Sequence, residues 1–168
     1  MKKIIAIILT AVCALSLASC GGSSNKLEAT ASDLAKTLPE KIDLNDLDVM
    51  TNEDQTAQNI LFIYGIEDDV KEALDSYLIT NAHRSTDPRA VVVLFFKDAE
   101  NVKDSIAAAK KGIEDIFLTN LRNSTATYDP EAAKVVNAAT FKEYDNALVM
   151  VSYDTNGNEA VINAIESN

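Results

Sequence analysis

The run Ala90-Val91-Val92-Val93-Leu94-Phe95-Phe96 constrains this chain more than any other segment. Successive side chains of a strand point to opposite faces of a sheet. A strand that is apolar at both parities must therefore be covered on both faces, which is the position of a central strand. Residues 89–96 are expected to hold that place. Residues 72–82 are strand-like, and His83 to Pro88 supplies a turn between the two, so a hairpin is expected. A second hairpin is expected from 138–144 and 147–153 across Asp145-Asn146. In it Val149, Val151 and Tyr153 share one face, and Leu148 and Met150 share the other.

Helical spacing fills the segments between. Leu27, Ala31, Leu34 and Leu38 form one apolar stripe, with Ser24 or Asn25 as cap and Pro39 as stop. Residues 40–54 read as a polar connection. Thr51 and Asp54 resemble a capping box ahead of a helix over 52–64, which Gly65 would end. Ile60 to Tyr64 also fits a strand. Glu67-Asp68-Asp69 reads as an exposed turn. The strongest helix is expected over 99–122, capped by Asp98, with Val102, Ile106, Ala109, Ile113, Ile116 (with Phe117) and Leu121 on its apolar face. Gly112 in its middle costs about 1 kcal/mol against alanine and points to close packing on the sheet. Asp129-Pro130-Glu131 places a cap, a proline at the first helical position and an acid in the first turn, for a short helix over 130–137. A last helix is expected over 156–166. The fold class is thus α+β: a mostly antiparallel sheet of two hairpins with helices packed on it, in a single domain over 26–168.

The N-terminus carries an address. Lys2 and Lys3 precede an apolar run from Ile4 to Ala18, interrupted only by Thr10 and Ser16. That is signal-peptide length, short of the roughly 20 apolar residues of a spanning helix. It ends in Leu17-Ala18-Ser19-Cys20, which resembles the bacterial lipoprotein lipobox. The resemblance implies that residues 1–19 are a signal peptide and that Cys20 is lipidated and becomes the first residue of the mature chain. Residues 20–25 would then be a lipidated cysteine with a short flexible linker, and two acyl chains would give stable attachment. Cys13 would leave with the signal, so no free thiol would remain for catalysis, metal binding or a disulfide. The expected location is the cell membrane, lipid-anchored and facing outside the cytoplasm.

Charge narrows the partners. The formal net charge is −11, and losing Lys2 and Lys3 moves it by two, to −13. Nucleic acid is excluded as a partner, because phosphate backbones demand a basic surface. Flat adsorption on anionic lipid is disfavoured for the same reason, which leaves the Cys20 lipid as the membrane attachment. With 47% hydrophobic and 24% charged residues the composition is that of a folded domain.

Chemistry is sparse. His83 is the one histidine and lies in a turn with no G-x-S-x-G elbow anywhere in the chain, so a serine triad has little support. No metal site is expected. Asp154-Thr155-Asn156-Gly157-Asn158 opens like a calcium loop, but Glu159 and Ile165 occupy the positions that need glycine and glutamate. The acids between Asp43 and Asp54 read as a solvated loop. Glu114, Asp115 and Glu131 are acids of the kind glycoside hydrolysis uses in pairs, though the chain has no tryptophan to form a sugar platform. Tyr128 and Glu131, flanking Asp129-Pro130, are the candidates for a surface pocket. No catalytic residue and no cofactor is assigned.

Several motifs resemble a family of Gram-positive lipoproteins built on a domain catalogued as domain of unknown function four-three-five-eight. They are Tyr64-Gly65-Ile66 before an acidic segment, Phe95-Phe96-Lys97-Asp98 closing the apolar strand, and Tyr128-Asp129-Pro130-Glu131 before the late hairpin. The likeness spans roughly residues 55–166 and implies a small extracytoplasmic lipoprotein domain, without assigned catalytic residues. The expected function is a non-enzymatic binding or interaction domain of the cell envelope, whose partner is an envelope protein or a small ligand. The alternatives are a small-ligand capture lipoprotein serving a transporter, or a carboxylate-based hydrolase.

Overall fold

The computed structural model describes residues 25–168. The expected signal peptide, the expected lipidation at Cys20 and the expected linker fall on residues 1–24, outside the described residues. The elements run α1 (Ala31–Lys41), β1 (Leu47–Thr51), α2 (Gln55–Ile60), a 3-10 turn (Leu61–Tyr64), α3 (Asp68–Ala73), β2 (Leu74–Ala82) and β3 (Ala90–Phe96). They continue with α4 (Val102–Gly112), a π-helical segment (Ile113–Leu118), α5 (Thr119–Tyr128), α6 (Pro130–Asn137), β4 (Thr140–Glu143), β5 (Ala147–Ser152) and α7 (Asn158–Glu166).

The five strands form one antiparallel sheet in the order β1-β2-β3-β5-β4. β3 is central and buried along its whole length. Its side chains alternate between two cores as the pleat requires. Val92, Leu94 and Phe96 join Leu148 and Met150 beneath α2, the 3-10 turn, α4 and the π segment. Val91, Val93 and Phe95 join Val149 and Val151 beneath α1 and α7, through Leu34, Leu38, Val161 and Ile165. The α+β class is as expected, with the two hairpins β2–β3 and β4–β5 joined through the pairing of β3 with β5.

A fifth strand departs from the sequence reading. β1 lies inside the segment taken as a polar connection, pairing Leu47 with Ala82 and Thr51 with Leu78. It is an edge strand, with only its end residues Leu47 and Thr51 buried. Asp48 faces solvent within it, so the alternation that marks a half-covered strand is blurred. The chain enters it through Asp46, a left-handed residue at φ 66°, a conformation that aspartate tolerates better than most.

Helix boundaries also shift. α1 starts six residues after Asn25, and its cap is Thr30, whose hydroxyl accepts from the Asp33 amide at 3.1 Å. Pro39 lies inside α1 and does not stop it; the helix runs to Lys41 and closes with the Ile42 amide on the Leu38 carbonyl. Leu27 is buried ahead of the helix, in a segment bonded to the β4–β5 turn. There the Asn25 amide donates to Asp145 Oδ2 at 2.8 Å, and Asp145 returns its own amide to the Asn25 carbonyl. Leu27 exchanges a second pair of bonds with the Asn146 side chain. Glu67-Asp68-Asp69 is the start of α3 rather than a free turn. The long helix starts at Val102 behind Asn101, not at Asp98, and continues through the π segment to Tyr128. The cap at Asp129 stands: its carboxylate accepts from the Ala132 amide at 3.1 Å. Asn158 is buried at the start of α7 and binds the Tyr153 amide and the Ala138 carbonyl.

Gly112 does mark a close approach, but to the Gly65 turn rather than to the sheet. Gly65 ends the 3-10 turn at φ 75°, a left-handed conformation glycine adopts freely. A Cβ on either glycine would overlap the other's carbonyl oxygen. Both collisions are with backbone, so no side-chain rotation relieves them. Gly112→Ala should gain about 1 kcal/mol from helix propensity alone. The overlap should outweigh this, costing about 1–3 kcal/mol as overpacked cores do. Urea denaturation is therefore expected to show a net destabilised variant; a stabilised one would mean the two backbones do not touch.

Candidate functional site

The Gly65–Gly112 approach sets the 3-10 turn beside the π segment, and side chains from both diverge into two hollows. On one side Tyr64 stacks on Phe117 with ring centroids 4.5 Å apart. With Ile63 and Leu121 they wall a cleft of about 290 Å³ that opens against the end of β2 and the start of β3. On the other side Phe62 and Ile116 line a shallower hollow together with Glu67, Asp68 and Asp69.

The polar groups of the cleft are largely committed. The Tyr64 hydroxyl donates to the Thr80 carbonyl at 2.5 Å, and burial pushes its pKa well above the ordinary tyrosine value. Its ring is thus a wall of the cleft, not a proton source. Thr80 in turn accepts from the Val91 amide at 2.8 Å, which locks β2 to β3 beneath the cleft. Ser124 donates to the Ser85 carbonyl at 3.3 Å, tying α5 to the β2–β3 turn. Asp87 holds the Arg89 guanidinium in a fork: Nε to Oδ1 at 3.0 Å and Nη2 to Oδ2 at 2.8 Å. Burial raises the Asp87 carboxyl, but the hydrogen bonds and charge of Arg89 outweigh it and hold the pKa below the ordinary carboxylate range.

Apart from Tyr128, the large exposed apolar side chains among the described residues lie on the 3-10 turn and the π segment. Phe62 is 69%, Ile63 47% and Ile116 38% exposed. Phe62 and Ile116 share the acidic hollow and form a patch there, unlike singly scattered apolar groups. Acids sit at its border, with Glu67, Asp68 and Asp69 in the hollow and Asp115 paired to Lys111 one helical turn away.

The sequence-derived candidates lie elsewhere. Tyr128 stands at the end of α5 with its ring 77% exposed, and Glu131 pairs with Lys134 at 2.8 Å on α6. Neither lines the cleft or the acidic hollow. Asp115 and Glu131 each face a lysine of their own helical stretch. Among the described residues no three His, Cys, Asp or Glu side chains converge as a metal-binding group. The Tyr77 hydroxyl is buried without a hydrogen-bond partner among the described residues, its pKa raised by burial and then by Asp54.

His83 is not isolated in its turn. Its Nε2 lies 3.0 Å from Asp48 Oδ1, clasping the start of β1 to the end of β2. That hydrogen bond, with the charge of Asp48 behind it, raises the histidine pKa above its ordinary 6.5. The protonated form is favoured on folding, so the clasp acts fully below pH 6.5 and fades as pH rises through the raised value. In an NMR titration the His83 ring should show a midpoint above 6.5, and Asp48→Asn should bring it back towards that value.

No protein-family model, no curated protein and no solved structure matches this chain.

Proposed function

We propose that this chain is a membrane-anchored extracytoplasmic lipoprotein of the kind its lipobox and its Tyr64-Gly65-Ile66 and Tyr128-Asp129-Pro130-Glu131 motifs resemble. Its domain acts as a non-enzymatic interaction module of the cell envelope. The observation that carries the interaction reading is the exposed apolar pair Phe62 and Ile116 in the acidic hollow. Apolar patches of this kind, edged by polar residues, mark contact sites. Three acids lining the hollow favour a partner that brings lysine or arginine around an apolar anchor, since complementary charge steers encounter and fixes register. The occupant is therefore a basic amphipathic segment of an envelope protein.

A second reading, capture of a small ligand, is favoured by the cleft on the other side of the same two turns. It has an apolar wall of Ile63, Tyr64, Phe117 and Leu121 and several polar side chains, the combination that ligand pockets use.

Two measurements test these proposals. Cys20→Ala should leave an unprocessed precursor on membrane fractionation; a variant that is processed and retained unchanged would refute the lipid anchor. A photo-crosslinking amino acid at position 62 should trap a protein in intact cells, whereas one at position 128 should not. Reversing Glu67, Asp68 and Asp69 to lysine should reduce the position-62 adduct at least about tenfold, the equivalent of roughly 1.4 kcal/mol. Equal trapping at both positions, or trapping indifferent to the reversal, would count against this interface.

A further inference from the structure

We propose that the cleft recognises a small carboxylate with an apolar body; this deepens the small-ligand reading of the same site. The charge of the cleft is the reverse of the charge of the chain. The chain carries 26 acids against 15 lysines and arginines. The cleft is lined by Arg84 and Arg89 and by a single acid, Asp87. That acid is spent, because Arg89 occupies both of its oxygens and the Arg89 amide adds a third bond at 2.9 Å. Arg84 has no ion-pair partner among the described residues. Among the residues lining the cleft, two cations stand against one acid.

The kind of cation matters. No lysine lines the cleft, although lysine far outnumbers arginine in the chain. The planar guanidinium suits two-point binding of a carboxylate, which the ammonium of lysine does not offer. Arg89 is held rigid by Asp87 and keeps N–H groups beyond the two that bond the carboxylate. Arg84 is exposed in the β2–β3 turn and free to close on a bound anion. Opposite them Phe117, Ile63 and Leu121 offer an apolar wall. Tyr64 adds ring surface but no donor, because its hydroxyl is occupied. A volume near 290 Å³ lies at the small end of ligand pockets, so the ligand is a small acid.

The test uses the full chain reconstituted in lipid nanodiscs, titrated with 3-phenylpropionate and with its uncharged isostere 3-phenylpropionamide. Binding is followed by the NMR signals of Ile63 and Leu121. The acid should bind about tenfold or more tightly than the amide, the margin of one charge-assisted contact. Arg84→Gln should remove that margin with little change in thermal midpoint, since Arg84 is exposed and unpaired; Arg84→Lys should restore part of it. Acid and amide binding equally at the cleft would overturn the anion preference and leave small-ligand capture standing. No shift at Ile63 or Leu121 with either compound at about millimolar concentration, the weak limit of useful affinity, would overturn both. Acid binding that is unchanged by Arg84→Gln would also overturn the proposal.

Discussion

The two-sided burial of β3 governs this structure. A strand apolar at every position has to be screened on both faces, and an antiparallel sheet leaves one face open unless helices are supplied. This chain supplies them from both ends. α1 and α7, which begin and end the described domain, meet on one face of the sheet, where Lys41 donates to the Ala164 and Ser167 carbonyls at the end of α7. The middle of the chain, from α2 to α6, covers the other. Neither layer can be removed without exposing Val, Leu and Phe side chains of the same strand.

The second constraint is local. Two glycines far apart in sequence permit backbone contact between a 3-10 turn and a helix that widens to π geometry just after the contact. π segments are uncommon and recur at functional sites. Here the segment turns Ile116 and Phe117 to opposite hollows, so one glycine contact positions both candidate surfaces.

Much of the frame was legible because it rests on short-range pattern. Strand β3, both hairpins, the Asp129-Pro130 helix start and the Gly65 stop follow from alternation, capping and left-handed turn chemistry. Edge strand β1 was hidden because an exposed edge carries charge where an inner strand carries valine. The Pro39 stop failed because proline in the last turn forfeits a single bond and the next residues still close on Leu38. The site was less legible than the frame. Gly112 signalled close packing, but its partner is 47 positions away and nothing periodic links the two. Tyr128 and Glu131 drew attention through an unusual motif, yet the motif's work is the Asp129 cap. Ile116 counted with the apolar face of its helix, and Phe62 and Ile63 lay in the run that fits helix or strand; the geometry of the 3-10 turn and the π segment turns all three to water.

The bonds between Asn25, Leu27 and the Asp145-Asn146 turn hold the first described residues to one end of the sheet. Cys20 precedes Asn25 by five residues, a tether of roughly 17 Å at full stretch. Those bonds sit at the end of the sheet where β3 finishes, since the Phe96 amide donates to the Asn146 carbonyl at 2.9 Å. The cleft sits where β3 begins, at Arg89 and Ala90. Between the two ends runs β3, seven residues and about 20 Å long at about 3.3 Å per residue. Under the proposed Cys20 anchor, the cleft would stand at the end of β3 away from the membrane, placed to meet dissolved solutes rather than lipids.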